Sequence, residues 1–295
     1  MNKFIRFTIF LNAPLLLLAV PGVLLGVDEK SPDKPVSFHK DLRPLFQANC
    51  NGCHQPAKAK GKLVMTTFDA LMKGGGEGPA IVPGKPDESY LVELVTPNDK
   101  GEYEMPKGKN AKPLHETEIA LIRKWIAEGA KDDTPEGSET LYTMKNPPQY
   151  VMPPVVTSMD FSPDGELLAL TGFHEALIHK ADGSGLVARL VGLSERVESV
   201  AFSPDGKQLA ITGGQPGRMG EVQVWDLEKK ELALSKTVTF DTLYGASWSP
   251  DGKYLAFGAA DTSLRVIDAA TGKQIVYMAG HDDWVRGTVF SKDGK

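Results

Sequence analysis

The chain has 295 residues, enough for two domains, and its 41% hydrophobic and 24% charged content is that of folded globular protein. A formal net charge of -5 with no basic stripe argues against a nucleic-acid-binding surface. Only two cysteines occur, and they lie close together, which excludes a disulfide-stapled scaffold.

Lys3 and Arg6 precede an apolar run from Phe7 to Val27 that carries no charge. A positive start followed by an apolar stretch predicts a secretory signal over residues 1–27, with cleavage near Gly26. The run is close to bilayer-spanning length, so a retained anchor over residues 4–27 is the alternative, and membrane contact is expected only in that case. Either reading exports the chain to a periplasmic or cell-envelope location. Residues 28–36 are polar and Pro-containing, and read as a spacer.

Residues 37–130 read as a small all-α domain. Phe38, Leu42, Leu45 and Phe46 follow helical spacing. A helix beginning near Asp41 would place Pro44 in its first turn, where the missing N–H costs nothing. That helix delivers Cys50-Asn51-Gly52-Cys53-His54, the Cys-x-x-Cys-His signature of covalent haem c attachment. Two thiols add to the porphyrin vinyl groups, and the adjoining imidazole of His54 can bind the iron. The competing readings are a thioredoxin-like dithiol, a zinc site short of a fourth ligand, and a strained small-ring disulfide.

Lys58, Lys60 and Lys62 read as solvated loop charge, with an acidic redox partner as the sharper alternative. Gly74 to Gly78 lacks the Lys-Ser/Thr of a phosphate loop and reads as a turn. Pro86 to Ser89 opens a short helix bearing Leu91, Leu94 and Val95. The polar loop from Pro97 to Lys112 holds Met105, the expected sixth iron ligand, because its setting is too polar for core filler. Met65, Met72, His39 and His115 are the competitors. A last helix from Leu114 to Glu128, closed by Gly129, places Ile119, Ile122 and Ile126 on one face, expected to cross the Phe38–Phe46 helix.

In sequence order, Leu42-Arg43-Pro44-Leu45, the Cys50–His54 motif, Val82-Pro83-Gly84-Lys85-Pro86, Ser89-Tyr90-Leu91, Met105-Pro106 and Ile122 through Trp125-Ile126 to Gly129-Ala130 resemble the planctomycete-type cytochrome c domain. The resemblance implies a class I-like fold with one covalent haem c, His54 proximal and Met105 distal. It also implies redox partner proteins.

Residues 131–154 carry Pro135, Pro147, Pro148, Pro153 and Pro154 and read as a semi-extended linker. Leu141, Tyr142 and Tyr150 are the residues able to pack on a domain. Residues 155–295 repeat. Phe161-Ser-Pro-Asp-Gly165 recurs from Phe202, Trp248 and, as Ser-Lys-Asp-Gly, from Phe290, at spacings of 41, 46 and 42 residues. Each Asp-Gly is a hairpin signal followed by an apolar strand. These copies, with Val224-Trp225-Asp226 and Gly280-His281, resemble WD40 repeats. Counting gives about three all-β propeller blades and the first strand of a fourth, an incomplete ring. His281 reads as a strand tie, and His174 and His179 as structural.

The fold class is therefore multidomain, a small all-α cytochrome c domain plus all-β WD40-like blades. The expected function is single-electron transfer through a His/Met-ligated haem, with a protein partner on the propeller face. Two alternatives remain: a haem oxidoreductase in which the cytochrome feeds a propeller-borne site, and a redox- or ligand-sensing scaffold.

Overall fold

The computed structural model describes residues 34–108, 111–136 and 142–294, so the expected signal or anchor over residues 1–27, and Leu141, lie outside the described residues. The apolar stripe Phe38, Leu42, Leu45 and Phe46 is buried. Its helical segment starts at Phe38 rather than Asp41, because the Ser37 hydroxyl caps it by accepting from the Lys40 N–H at 2.9 Å. This π-helical turn, Phe38–Leu42, runs into α1, Arg43–Asn49, with Pro44 in the first turn. Next come α2, Phe68–Lys73, and α3, Tyr90–Val95, preceded by a 3₁₀ turn over Pro86–Glu88.

The longest helix among the described residues, α4, spans Glu116–Ala127. His115 caps it: the Thr117 N–H donates to the His115 ring, and the His115 N–H donates to the Glu118 carboxylate at 2.7 Å. Gly129, at φ 98°, turns the chain out of the helix. α4 meets the first helical segment through Phe38 stacked on Trp125 at 5.6 Å, with Phe68 edge-on to Phe38 at 5.3 Å.

The second half is antiparallel sheet. One sheet orders β3 (Met159–Phe161), β4 (Leu167–Thr171), β5 (Phe173–Lys180), β6 (Leu186–Phe202), β7 (Gln208–Gln215), β8 (Met219–Asp226) and β9 (Glu231–Thr239) as successive neighbours. β10 (Leu243–Trp248), β11 (Tyr254–Ala259), β12 (Leu264–Asp268) and β13 (Gln274–Met278) form a second. The long β6 serves two blades. Its Leu186–Val191 half pairs with β5, and its later half, from Arg196 to Phe202, pairs with β7. The seven-stranded sheet is thus two four-stranded blades sharing one continuous strand, and β10–β13 is a third.

The repeated Ser-Pro-Asp-Gly turns explain their own spelling. Ser162, Ser203 and Ser249 each donate to the Asp two residues on, at 2.5, 2.6 and 2.6 Å. Each serine oxygen also accepts from the N–H five residues on, at Leu167, Gln208 and Tyr254, each at 2.9 Å. The glycines Gly165, Gly206 and Gly252 sit at φ 76°, 71° and 69°, where a side chain would be strained. Blades are joined by the Phe202 N–H donating to Asp160 at 2.7 Å and the Trp248 indole donating to the Ala201 carbonyl at 2.9 Å.

Residues 285–290, where the first strand of a fourth blade is expected, have no partner strand among the described residues. They lie along the third blade, with the Thr288 hydroxyl on the Ala256 carbonyl at 3.0 Å in place of a ladder bond. His281 stands exposed instead of tying strands. His174 is half-buried against Phe173 and Tyr142.

The segment between the helices and the blades is pinned at both ends. The Trp125 indole donates to the Lys131 carbonyl and the His39 N–H to Asp133. Further on, the Tyr150 hydroxyl donates to Glu175 at 2.6 Å. Arg189 binds that same fully buried carboxylate and the Pro148 carbonyl.

Candidate haem-attachment site

α1 ends at Cys50, whose N–H still bonds the Phe46 carbonyl at 2.8 Å. The chain then turns tightly, with the N–H groups of Cys53 and His54 both donating to the Cys50 carbonyl at 3.0 and 3.1 Å. A two-residue β-ribbon follows, β1 (His54–Gln55) with β2 (Lys58–Ala59), and fixes His54 in place. The signature is therefore a compact turn at a helix C-terminus, anchored to the domain core through Cys50.

Both cysteines are free and half-buried. Burial pushes the Cys50 thiol up to about 12, with Cys53 and then Glu118 adding to the effect. A thiol raised in this way is not the low-pKa thiolate of a thioredoxin-type dithiol. Among the described residues no group of three His, Cys, Asp or Glu side chains is placed to hold a metal ion.

Burial lowers the His54 pKa, opposed by the carbonyls of Leu63 and Lys60, so its imidazole is neutral and a lone pair is available. Its Nδ1 is buried with no hydrogen-bond partner, as are Asn51 Oδ1, Gln55 Oε1 and Thr66 Oγ1. Four of the eight such orphaned side-chain atoms among the described residues lie between residues 51 and 66. Buried polar groups without partners are costly, and their concentration around the signature fits a polar-edged prosthetic group that completes this region.

Met105 is half-buried and packs on the same apolar core as Cys50, its N–H held by the Leu94 carbonyl at 2.8 Å. Of the competitors, Met72 is partly buried against this core as Met105 is, and Met65 is buried within it. His39 contacts Arg43 through its ring, and His115 caps α4. Haem c fits the residues present: two adjacent thiols, an imidazole beside them, and a thioether on the apolar core that also holds Cys50.

Residues 50–108 match the family model described as Planctomycete cytochrome C, and residues 185–226 and 235–268 match the WD domain, G-beta repeat. The chain joins a planctomycete-type cytochrome c segment to WD40 repeats. Its repeats are 42% identical over 50 residues to Nuclear distribution protein PAC1 of Mycosarcoma maydis, covering 17% of this chain and 11% of that protein. They are 46% identical over 44 residues to the PAC1 protein of Coprinopsis cinerea, covering 15% and 10%. With the Lissencephaly-1 homolog of Monosiga brevicollis the identity is 32% over 56 residues, covering 19% and 14%. The chain thus spans well under a fifth of the length of these relatives.

The signature turn of this cytochrome segment rests on the second WD40 blade, a contact that sequence reading missed. A Cβ on Gly52 would lie 2.7 Å from the Ser235 carbonyl of β9, so only glycine fits. Lys58, read from sequence as solvated charge, donates to the Ala233 carbonyl at 2.6 Å. Thr237 donates to the Gln47 carbonyl, and the Gln47 amide donates to the Met219 sulfur at 3.1 Å. The edge strand β9 is thereby covered, which removes a pairing hazard.

Behind β9 lies a buried polar chain. Ser235 donates to Glu221 at 2.5 Å, Ser194 to Glu221 at 2.7 Å, the Gln223 amide to Glu221 at 2.7 Å, and the Trp225 indole to the Gln223 carbonyl oxygen at 2.8 Å. Glu221 is fully buried, and its pKa is raised by desolvation, opposed by these hydrogen bonds. A carboxyl with a raised folded-state pKa stabilises the fold below its unfolded pKa, and that stabilisation is lost as pH rises through the folded value. Denaturation midpoints are therefore expected to fall from mildly acid to alkaline pH, and Glu221→Gln is expected to flatten that decline. A mutant profile parallel to wild type would assign the pH dependence elsewhere.

Proposed function

We propose that this chain is an exported c-type cytochrome that passes single electrons through one covalently bound haem, with its WD40 blades as a protein-docking platform. The observation that carries this reading is the Cys50–His54 turn. It presents two free thiols and an imidazole whose buried Nδ1 has no hydrogen-bond partner, beside the core that also holds Met105. When bound, haem supplies reversible one-electron chemistry.

The residues of this chain do the rest. Cys50 and Cys53 would tether the porphyrin, and His54 and the Met105 thioether, a soft ligand that favours ferrous iron, would hold its iron. The aromatic core of Phe38, Phe46, Phe68 and Trp125 keeps water from the site. An iron held by both His54 and Met105 would have no position open to substrate, which favours a carrier over a catalyst. Export to the periplasm or cell envelope is part of the same proposal and rests on the charged and apolar pattern of residues 1–27.

Met105→Ala tests the ligand set. The substitution is expected to open the sixth position, so that the reduced protein binds carbon monoxide where wild type does not. Failure of the mutant to bind carbon monoxide would remove Met105 from the iron.

A further inference from the structure

Nothing in the electron-carrier reading uses Glu221, yet its position relative to the haem turn is specific. Two contacts in series connect them. Gly52, inside the attachment motif, abuts the Ser235 backbone. The Ser235 hydroxyl bonds Glu221, and Glu221 continues through Gln223 to Trp225. Glu221, Gln223 and Trp225 alternate along β8 and so share one face, and Ser235 stands opposite Gln223 on β9.

The groups placed against Glu221 from the neighbouring strands are uncharged: Ser194 from β6, Gly213 from β7, and Ser235 and Thr237 from β9; Gly52 and Gln47 of the cytochrome side touch β9 at Ser235 and Thr237. On the cytochrome side of β9 the Lys58 ammonium sits on the Ala233 carbonyl, two residues before Ser235. A carboxyl with no cation beside it in a low-dielectric interior responds strongly to any charge change nearby.

We propose that Glu221 is a redox-linked proton site: its carboxylate binds one proton from solvent as the haem held at Cys50 and Cys53 accepts one electron from an outer-sphere one-electron donor, and releases it on oxidation. The inference rests on the electron-carrier reading. Charge balances, since one electron and one proton enter together and no bond other than the carboxyl O–H forms. Ser235 is both the contact with the attachment turn and a hydrogen-bond donor to the carboxylate, so it positions Glu221. Linkage makes the effect reciprocal: if reduction tightens proton binding, protonation favours reduction.

The test is potentiometry of the haem-loaded full chain across mildly acid to alkaline pH, paired with reduced-minus-oxidised infrared difference spectra. The midpoint potential is expected to fall as pH rises, by at most tenfold in equilibrium constant per pH unit, or 59 mV for one electron. A protonated-carboxyl stretch is expected to appear on reduction. Glu221→Gln is expected to remove both signals, and Ser235→Ala to weaken both while leaving Glu221 in place. A flat potential and no carboxyl band in wild type would overturn the proposal. So would a slope and band that survive in Glu221→Gln. Absence of any one-electron wave would instead sink the electron-carrier reading. If Glu221→Gln does not fold, the wild-type carboxyl band and its response to Ser235→Ala decide the matter.

Discussion

Replacing Cys50 and Cys53 together with serine is expected to abolish covalent haem completely. Wild-type protein made in a host that attaches haem c should carry one haem in its intact mass and retain a haem stain after denaturing electrophoresis. The double mutant should show the bare polypeptide mass and no stain. Each serine hydroxyl is nearly isosteric with the thiol, and Cys50 is held by an N–H bond from its backbone rather than through its sulfur, so α1 and the turn should persist. Single replacements should each leave one thioether and reduce the yield of attached haem. Haem that stays covalently bound in the double mutant would contradict the assigned anchors.

The second large effect is on stability. Trp225→Ala is expected to cost ~3–5 kcal/mol, the range for emptying a large buried aromatic site. The side chain is fully buried between the first two blades, and its indole closes the polar chain through Gln223 to Glu221. Its loss leaves a cavity and frees the Gln223 carbonyl oxygen in a dry interior, so Trp225→Phe should fall between wild type and alanine. Urea denaturation followed by sheet circular dichroism measures the change. A loss below about 1 kcal/mol would mean that the blade closes around the gap.

What sequence revealed here was local chemistry. The Cys50–His54 signature, the helix carrying Phe38 to Phe46, the cap at Gly129 and the Asp-Gly hairpins are each written in a handful of adjacent residues. The contacts missed are long-range. Gly52 looks like an arbitrary spacer in its motif, because the Ser235 carbonyl that excludes a side chain lies far along the chain. Lys58 sits in a run of lysines and reads as solvated until β9 supplies the Ala233 carbonyl.

One signal was present and went unread. Glu221, Gln223 and Trp225 alternate along a strand, which places all three on one face with the buried tryptophan. That pattern announces a polar chain within a core. His281 misled for the opposite reason: it sits in a short motif whose strand-tying role needs neighbours that fold around it, and here it remains exposed.

The near-infrared absorption of the oxidised, haem-loaded chain tests the central assignment most directly, because a thioether bound to low-spin ferric iron gives a charge-transfer band there that two imidazoles do not. The band should be present in wild type and absent in Met105→Ala. A spectrum of bis-imidazole or high-spin iron in wild type would contradict the pairing of His54 with Met105.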